Sequence, residues 1–249
     1  MPTARPQKRF YRNLLPVTGL VSFRVGVKET DLWIQAQTDL SAEARERVLR
    51  DRGYIEMYIE RYPEFARTLH PWSTVDAAPG IVRTMAGAAG KTGVGPMAAV
   101  AGAIAESVGR DLLKFSEQVI VENGGDIFLK TRHAQVMGIY AGTSPLNMKV
   151  GLKIEPAVQP VGVCTSSGTI GHSTSLGRAD AVCVISTDCA LADAAATAVG
   201  NRVGSRSEVE EAIEFGKQIH GIRGLVVIAG DRIGLWGDIE LVPLQRKKG

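Results

Sequence analysis

Val119-Ile120-Val121-Glu122-Asn123-Gly124-Gly125-Asp126-Ile127-Phe128-Leu129-Lys130 sets the frame for the rest of the chain. Two apolar runs, Val119–Val121 and Ile127–Lys130, flank an Asn-Gly-Gly-Asp centre. Asn-Gly supplies positive φ cheaply, so the stretch predicts two strands joined by a hairpin turn. The same two glycines can also bring bare backbone against a ligand, with Glu122 and Asp126 beside it. Carboxylates so placed suit ribose hydroxyls or a ring N–H. Both readings stand at the level of sequence.

Working outward, the pattern alternates between strands and helices. Towards the N-terminus, Val21, Phe23, Val25 and Val27 alternate with Ser22, Arg24 and Gly26, which predicts a half-buried strand. Leu32, Ile34 and Ala36 repeat it after Lys28-Glu29-Thr30-Asp31, giving a hairpin. From Ser41 the spacing is helical through Val48, Arg52, Ile55 and Ile59, with Ser41 as N-cap and Pro63 as stop. Residues 64–80 read as irregular. One helix is expected from near Pro79 and another from Pro96 to about Leu113. The first ten residues of the latter carry no charge and include Ala98, Ala99, Ala101, Gly102, Ala103 and Ala105, which predicts a helix buried all round. Towards the C-terminus, strands are expected at Val136–Tyr140, Val150–Ile154, Val161–Cys164 and Ala181–Ile185. A helix then covers Cys189–Ala198 and an amphipathic one about Glu208–Ile219, before strands at Leu225–Ile228 and Ile233–Leu235. The fold class is mixed α/β (α+β), with mixed sheets packed with helices. It forms one compact domain over residues 13–243, between basic tails at 1–12 and 244–249.

Composition bounds the function. The chain has 249 residues, 45% of them hydrophobic and 22% charged, which excludes a disordered or fibrous chain. The net charge of +3 comes from the ends. Arg5, Lys8, Arg9 and Arg12 lie at the start, and Arg246, Lys247 and Lys248 at the finish. Without those seven, 22 Lys and Arg face 26 acids, so the body is a poor template for a nucleic-acid duplex. The most apolar stretch, Met97 to Ala105, would span only about 14 Å as a helix, too short for a bilayer. The expectation is a cytoplasmic protein without nucleic-acid or membrane partners. A homodimer is left open. Three cysteines without a CxxC pair argue against a disulfide framework or a structural zinc.

Two further constellations carry candidate chemistry. Cys164-Thr165-Ser166-Ser167-Gly168-Thr169-Ile170-Gly171-His172-Ser173-Thr174-Ser175-Leu176-Gly177 has seven Ser or Thr, no acid, and Arg178 directly after it. It reads as a polar surface loop or as a cradle of hydroxyls and N–H groups for a phosphate or another small-molecule anion. His172 would serve there as a proton shuttle. The second is the alanine-rich run around Asp193. Asp188 has a ready role as N-cap, but Asp193 sits inside a helix expected to be buried, with Thr197 four residues on. No Lys or Arg occurs from 179 to 201. A buried carboxylate needs a partner, either backbone donors or a hard cation such as Mg²⁺. Among the cysteines, Cys189 near a helix N-terminus is a candidate for a lowered pKa. Cys164 heads the loop, and either of the two is a candidate nucleophile or sulfur carrier.

The order Gly-Gly-Asp, Thr-Ser-x-Gly and Ala-Asp-x-x-x-Thr resembles the ApbE superfamily, best known for flavin transferases. It is most similar to an uncharacterised branch of it. The branch hallmarks correspond to Gly93-Val94-Gly95-Pro96-Met97, Val121–Asp126, Cys164–Ser173 and Asp193–Thr197, and the similarity covers about residues 11 to 242. The resemblance implies FAD or FMN as cofactor, with Gly124, Gly125 and Asp126 on the nucleotide and Thr165, Ser167 and Gly168 on the loop beside it; Glu122, Asn123, Ser166 and Arg178 join them as binding candidates from their own place in the two motifs. It implies Mg²⁺ on Asp193 and Thr197, His172 as the catalytic base, and FMN transfer to a threonine as the activity. Two departures stand out. The His-x-x-Asp-Pro run of the transferases is missing, and their Gly-Lys-Gly-like segment is replaced by Gly-Pro-Met. Within the branch, a role in sulfur assimilation towards homocysteine would use Cys164. A ligand-binding module without catalysis is the third alternative.

Overall fold

The computed structural model describes residues 19–75, 77–166 and 177–244. The tail expected over 1–12, the last five residues, and Ser167, Gly168 and His172 lie outside them.

The N-terminal hairpin forms as its alternation requires. In β1 (Val21–Val27), Phe23, Val25 and Val27 are buried and the residues between them exposed. β2 (Thr30–Ala36) pairs with it in register from Val21↔Ala36 to Val27↔Thr30. Helix α1 (Ser41–Arg61) buries Ala44, Val48, Asp51, Ile55 and Tyr58. Ser41 is not its N-cap, as the sequence had suggested. The cap residue is Leu40, and the Asp39 carboxylate accepts the Ser41 N–H at 2.9 Å. An acid two residues upstream performs the task expected of the serine. α2 (Gly80–Thr92) follows the irregular stretch.

The helix expected from Pro96 is broken. Pro96–Ala99 form a single 3-10 turn, Ala99 leaves helical geometry at φ −113° and ψ 1°, and α3 (Val100–Leu112) starts afresh. It is also not buried all round, since Met97, Ala98, Val100 and Ala101 are half-exposed. The break gives α3 its own set of N-terminal N–H groups with no partner inside the helix.

β3 (Val119–Asn123), β4 (Asp126–Lys130), β5 (Gln135–Gly138), β6 (Val150–Ile154), β7 (Val161–Ser166) and β8 (Ala181–Ser186) come next. They lead into α4 (Cys189–Gly200), α5 (Val209–Lys217), β9 (Ile222–Ala229), β10 (Arg232–Gly237) and β11 (Glu240–Pro243). Among the described residues, eight strands form one sheet in the order β1-β2-β3-β4-β7-β8-β9-β10, and β11-β6-β5 form a second. Every pairing among these strands is antiparallel. β11 was not anticipated. It is short, ends in proline, and shows its strand character only through pairing with β6. Leu244, counted with the tail from sequence, donates its N–H to the Lys149 carbonyl at 2.8 Å.

Helices cover one face of the large sheet, and the small sheet lies against the other. The period of two sorts the side chains between two cores. In β8, Val182 and Val184 face the helices, while Ala181, Cys183 and Ile185 face the small sheet. α4 is the central helix, with Leu191 and its alanines buried against sheet and neighbouring helices alike. Burying a leucine in this way contributes roughly 2 kcal/mol. Among the described residues, no helix is long and apolar enough to cross a membrane.

Candidate functional site

The β3–β4 connection is a two-residue hairpin. Asn123 pairs with Asp126, and Gly124 and Gly125 between them have φ of 74° and 119°. Both central residues need positive φ, which only glycine adopts without strain. Asn123 and Asp126 share the helix side with Val121 and Phe128. Asn123 donates through Nδ2 to the Ala101 carbonyl at 3.1 Å, tying the turn to the start of α3. Glu122 is buried but points to the opposite face, in register with Ile127 and beside Ile120. The acid-Asn-Gly-Gly-acid string is therefore split by the sheet.

Asp193 meets that turn from α4. Its Oδ2 accepts the Gly102 N–H at 2.8 Å, and the Ala101 N–H also donates to the carboxylate. An acid inside one helix thus caps the N-terminus of another, α3, whose own cap residue Ala99 has no side chain able to do so. Gly102 makes the approach possible. A Cβ there would meet the Cys189 carbonyl oxygen and come within 2.8 Å of the Asp193 Cβ. Burial pushes the Asp193 carboxyl well above the usual 3.8, and the negative field of Asp126 pushes it further; the two N–H donors act the other way. Thr197, one turn on, is buried. Two carboxylates and a hydroxyl make a hard-oxygen donor set, and a cation among them would offset the repulsion between the acids. On that ground the residues fit Mg²⁺. Among the described residues, no group of three or more His, Cys, Asp or Glu side chains has metal-binding spacing.

The start of the hydroxyl-rich segment is strand. Cys164 is fully buried on the helix side, and its Sγ–H donates to the Cys189 carbonyl at 3.3 Å. Burial, first of all, pushes this thiol well above its ordinary value. A thiol buried in the core and raised in this way is a poor nucleophile, so the structure gives no support to sulfur chemistry at Cys164. Cys189 corrects an expectation. Its thiol is raised, not lowered, because desolvation outweighs the hydrogen bond with Cys164, and Glu106, Asp188 and Asp126 add negative field. The free N–H of Cys189 is already taken by Glu106 Oε2 at 2.7 Å. Asp188 is the N-cap of α4, accepting the Leu191 N–H at 2.9 Å, as the sequence indicated.

Ser166 is buried on the helix side with Cys164. Thr165 faces the other way, its Oγ1 hydrogen-bonded to Cys183 Sγ at 3.2 Å. The Thr165 carbonyl lies against the Gly-Gly turn, 3.7 Å from where a Gly125 Cβ would sit. Arg178 is exposed, and its backbone N–H donates to the Val203 carbonyl at 2.6 Å, beyond the C-terminal end of α4. The structure therefore brings together Asn123, Asp126, Asp193 and the Thr165 backbone, with Thr197 a turn away. It sends the Glu122 and Thr165 side chains to the far face. Sequence reasoning missed Ala101, Gly102 and Glu106. The only available signal was a glycine within an alanine run, followed four residues later by its first acid.

A family model described as AbpE bacteria matches residues 12–235. The chain belongs to that family. Relatives of this AbpE bacteria chain include a UPF0280 protein of Methanosarcina acetivorans, 42% identical over 241 residues, covering 96% of this chain and 92% of the relative. A UPF0280 protein of Methanocaldococcus jannaschii is 42% identical over 231 residues, covering 90% and 94%. Among solved structures, the flavin transferase ApbE from Vibrio cholerae superposes with a TM-score of 0.58 at 15% identity, covering 88% of this chain and 96% of that one. At that identity the likeness establishes the fold.

Proposed function

We propose that this AbpE bacteria chain binds a flavin nucleotide, FAD or FMN, together with Mg²⁺, and that FMN transfer is the chemistry the site is built for. The observation that carries the reading is the meeting of Asp193, Asp126 and the N-terminus of α3 at the Gly-Gly turn. The fold shared with flavin transferases supports it.

In this reading Asp193, Asp126 and Thr197 hold the cation. Gly124 and Gly125 let backbone approach the nucleotide, as does the Thr165 carbonyl beside them. Asn123 keeps the turn fixed to α3, so the carboxylates keep their positions as ligand arrives. Bound Mg²⁺ would supply electrophilic polarisation of a pyrophosphate. Ser167, Gly168 and Arg178 are assigned to the anion, and His172 to the acceptor hydroxyl, from which it would remove the proton.

Thermal shifts with FAD, FMN, ADP and inorganic phosphate, each with and without Mg²⁺, test binding on the wild type and on Asp193→Asn. The expected result is a shift that needs nucleotide, Mg²⁺ and Asp193 together. Equal shifts for the variant would remove the proposed site. Incubation with FAD, Mg²⁺ and threonine-containing acceptor peptides tests the chemistry. Release of AMP supports transfer, whereas tight binding without release for every acceptor leaves a ligand-binding module.

A further inference from the structure

A cavity of about 610 Å³ opens away from that site, where the C-terminal ends of α2, α4 and α5 converge. Lys91 and Thr92 line it from α2, Arg202 from just past α4, and Phe215, Gln218 and Ile219 from the end of α5. Among the described residues, no Asp or Glu lines it. The Arg202 guanidinium lies over the Phe215 ring, 3.7 Å from the centroid. Stacking of this kind fixes the plane of the guanidinium while leaving its edge N–H groups free to form a fork with an oxyanion.

Most cations of the described surface are tied to acids, as Lys217 is to Glu214 and Arg206 to Asp231. Among the described residues, Lys91 and Arg202 have no acid within ion-pair distance. Both also complement helix C-termini, which accounts for their charge. That role does not account for a cavity free of acids with an aromatic wall behind the arginine.

We propose that this cavity is a second ligand site, taking a small phosphate monoester with an apolar organic part. Arg202 grips the phosphate edge-on, and Lys91 adds a point charge. Gln218 donates from its amide. Phe215, Val94 and Ile219 receive the organic part. The site is independent of the flavin reading, since neither Asp126 nor Asp193 lines it.

Calorimetric titration of the full chain with phenyl phosphate, in buffer free of flavin and phosphate, tests the proposal. Wild type and Asp193→Asn should bind alike. Arg202→Gln should bind about tenfold or more weakly, as loss of a charge-assisted hydrogen bond implies. Inorganic phosphate should bind more weakly than its phenyl ester. Lys91→Gln, at an exposed site, provides the second variant should Arg202→Gln fold poorly, and should also weaken binding. Absence of binding to wild type would overturn the proposal. So would a variant that loses thermal stability but keeps full affinity, which would confine the two cations to the helix ends. Loss of binding in Asp193→Asn alone would move the ligand to the other site.

Discussion

The two sides of the large sheet around β3, β4 and β7 share the same backbone but differ in chemistry. On the helix side, Asn123 and Asp126 face Asp193 and the opening N–H groups of α3. On the small-sheet side, Glu122 lies beside apolar neighbours and the Thr165 hydroxyl bonds to a buried cysteine. Glu122 and Asn123 are adjacent in sequence, and Thr165 and Ser166 likewise. In a strand, adjacency places side chains on opposite faces. A motif that looks like one cluster on paper is two half-motifs in space, and only one of them meets α4.

The harshest way to break this division is Gly102→Val. A branched side chain would strike the Cys189 carbonyl and push α3 away from Asp193, at a cost of about 3 kcal/mol. The denaturation midpoint reads it. The division is tested more directly by a pair of isosteric changes. A nucleotide with Mg²⁺ at about a hundred times its Kd stabilises by about 2.7 kcal/mol. Asp126→Asn should abolish most of that stabilisation, and Glu122→Gln should leave it intact; equal losses would mean that both faces meet ligand.

Proton linkage offers a third measurement. The folded chain holds the Asp193 proton to higher pH than the unfolded chain does. Stability contributed by this group is therefore lost as pH rises from the usual 3.8 through the raised folded value. Unfolding of the metal-free protein should show this decline, and Asp193→Asn should lack it. Asp188→Ala removes only the cap of α4 and should cost about 1 kcal/mol. The smallest expected effect is none at all. Cys164, Cys183 and Cys189 are buried, and Cys183 is pushed up to about 11, so a thiol reagent near neutral pH should titrate no cysteine before unfolding.

Much of the fold was legible because its signals are local. The alternation in Val21–Val27 and the Asn-Gly-Gly-Asp turn need no distant partner to be read. β6 (Val150–Ile154) begins and ends where its apolar alternation predicts. The break before α3 was not legible, because Pro96 to Ala105 is uncharged throughout, rich in alanine, and carries no stop. The group that uses the fresh N-terminus, the Asp193 carboxylate, lies 91 residues away. Asp193 itself was legible as a problem, an acid in an alanine helix. Its solution by backbone donors was one of two options the sequence left open. Cys164 misled because its place before a polar segment looked like a loop mouth, whereas β7 continues through Ser166 and carries it under α4.

β11 pairs with β6 across about ninety residues of intervening chain. During synthesis it emerges after β1 to β10, so the small sheet cannot acquire its third strand until the other ten are made. Until then β6 presents a bare edge and the core beneath it lacks part of its cover, the condition in which nascent chains pair wrongly with one another. A released chain lacking Glu240–Pro243 would keep every element of its α4 side and leave the opposite side short of one strand.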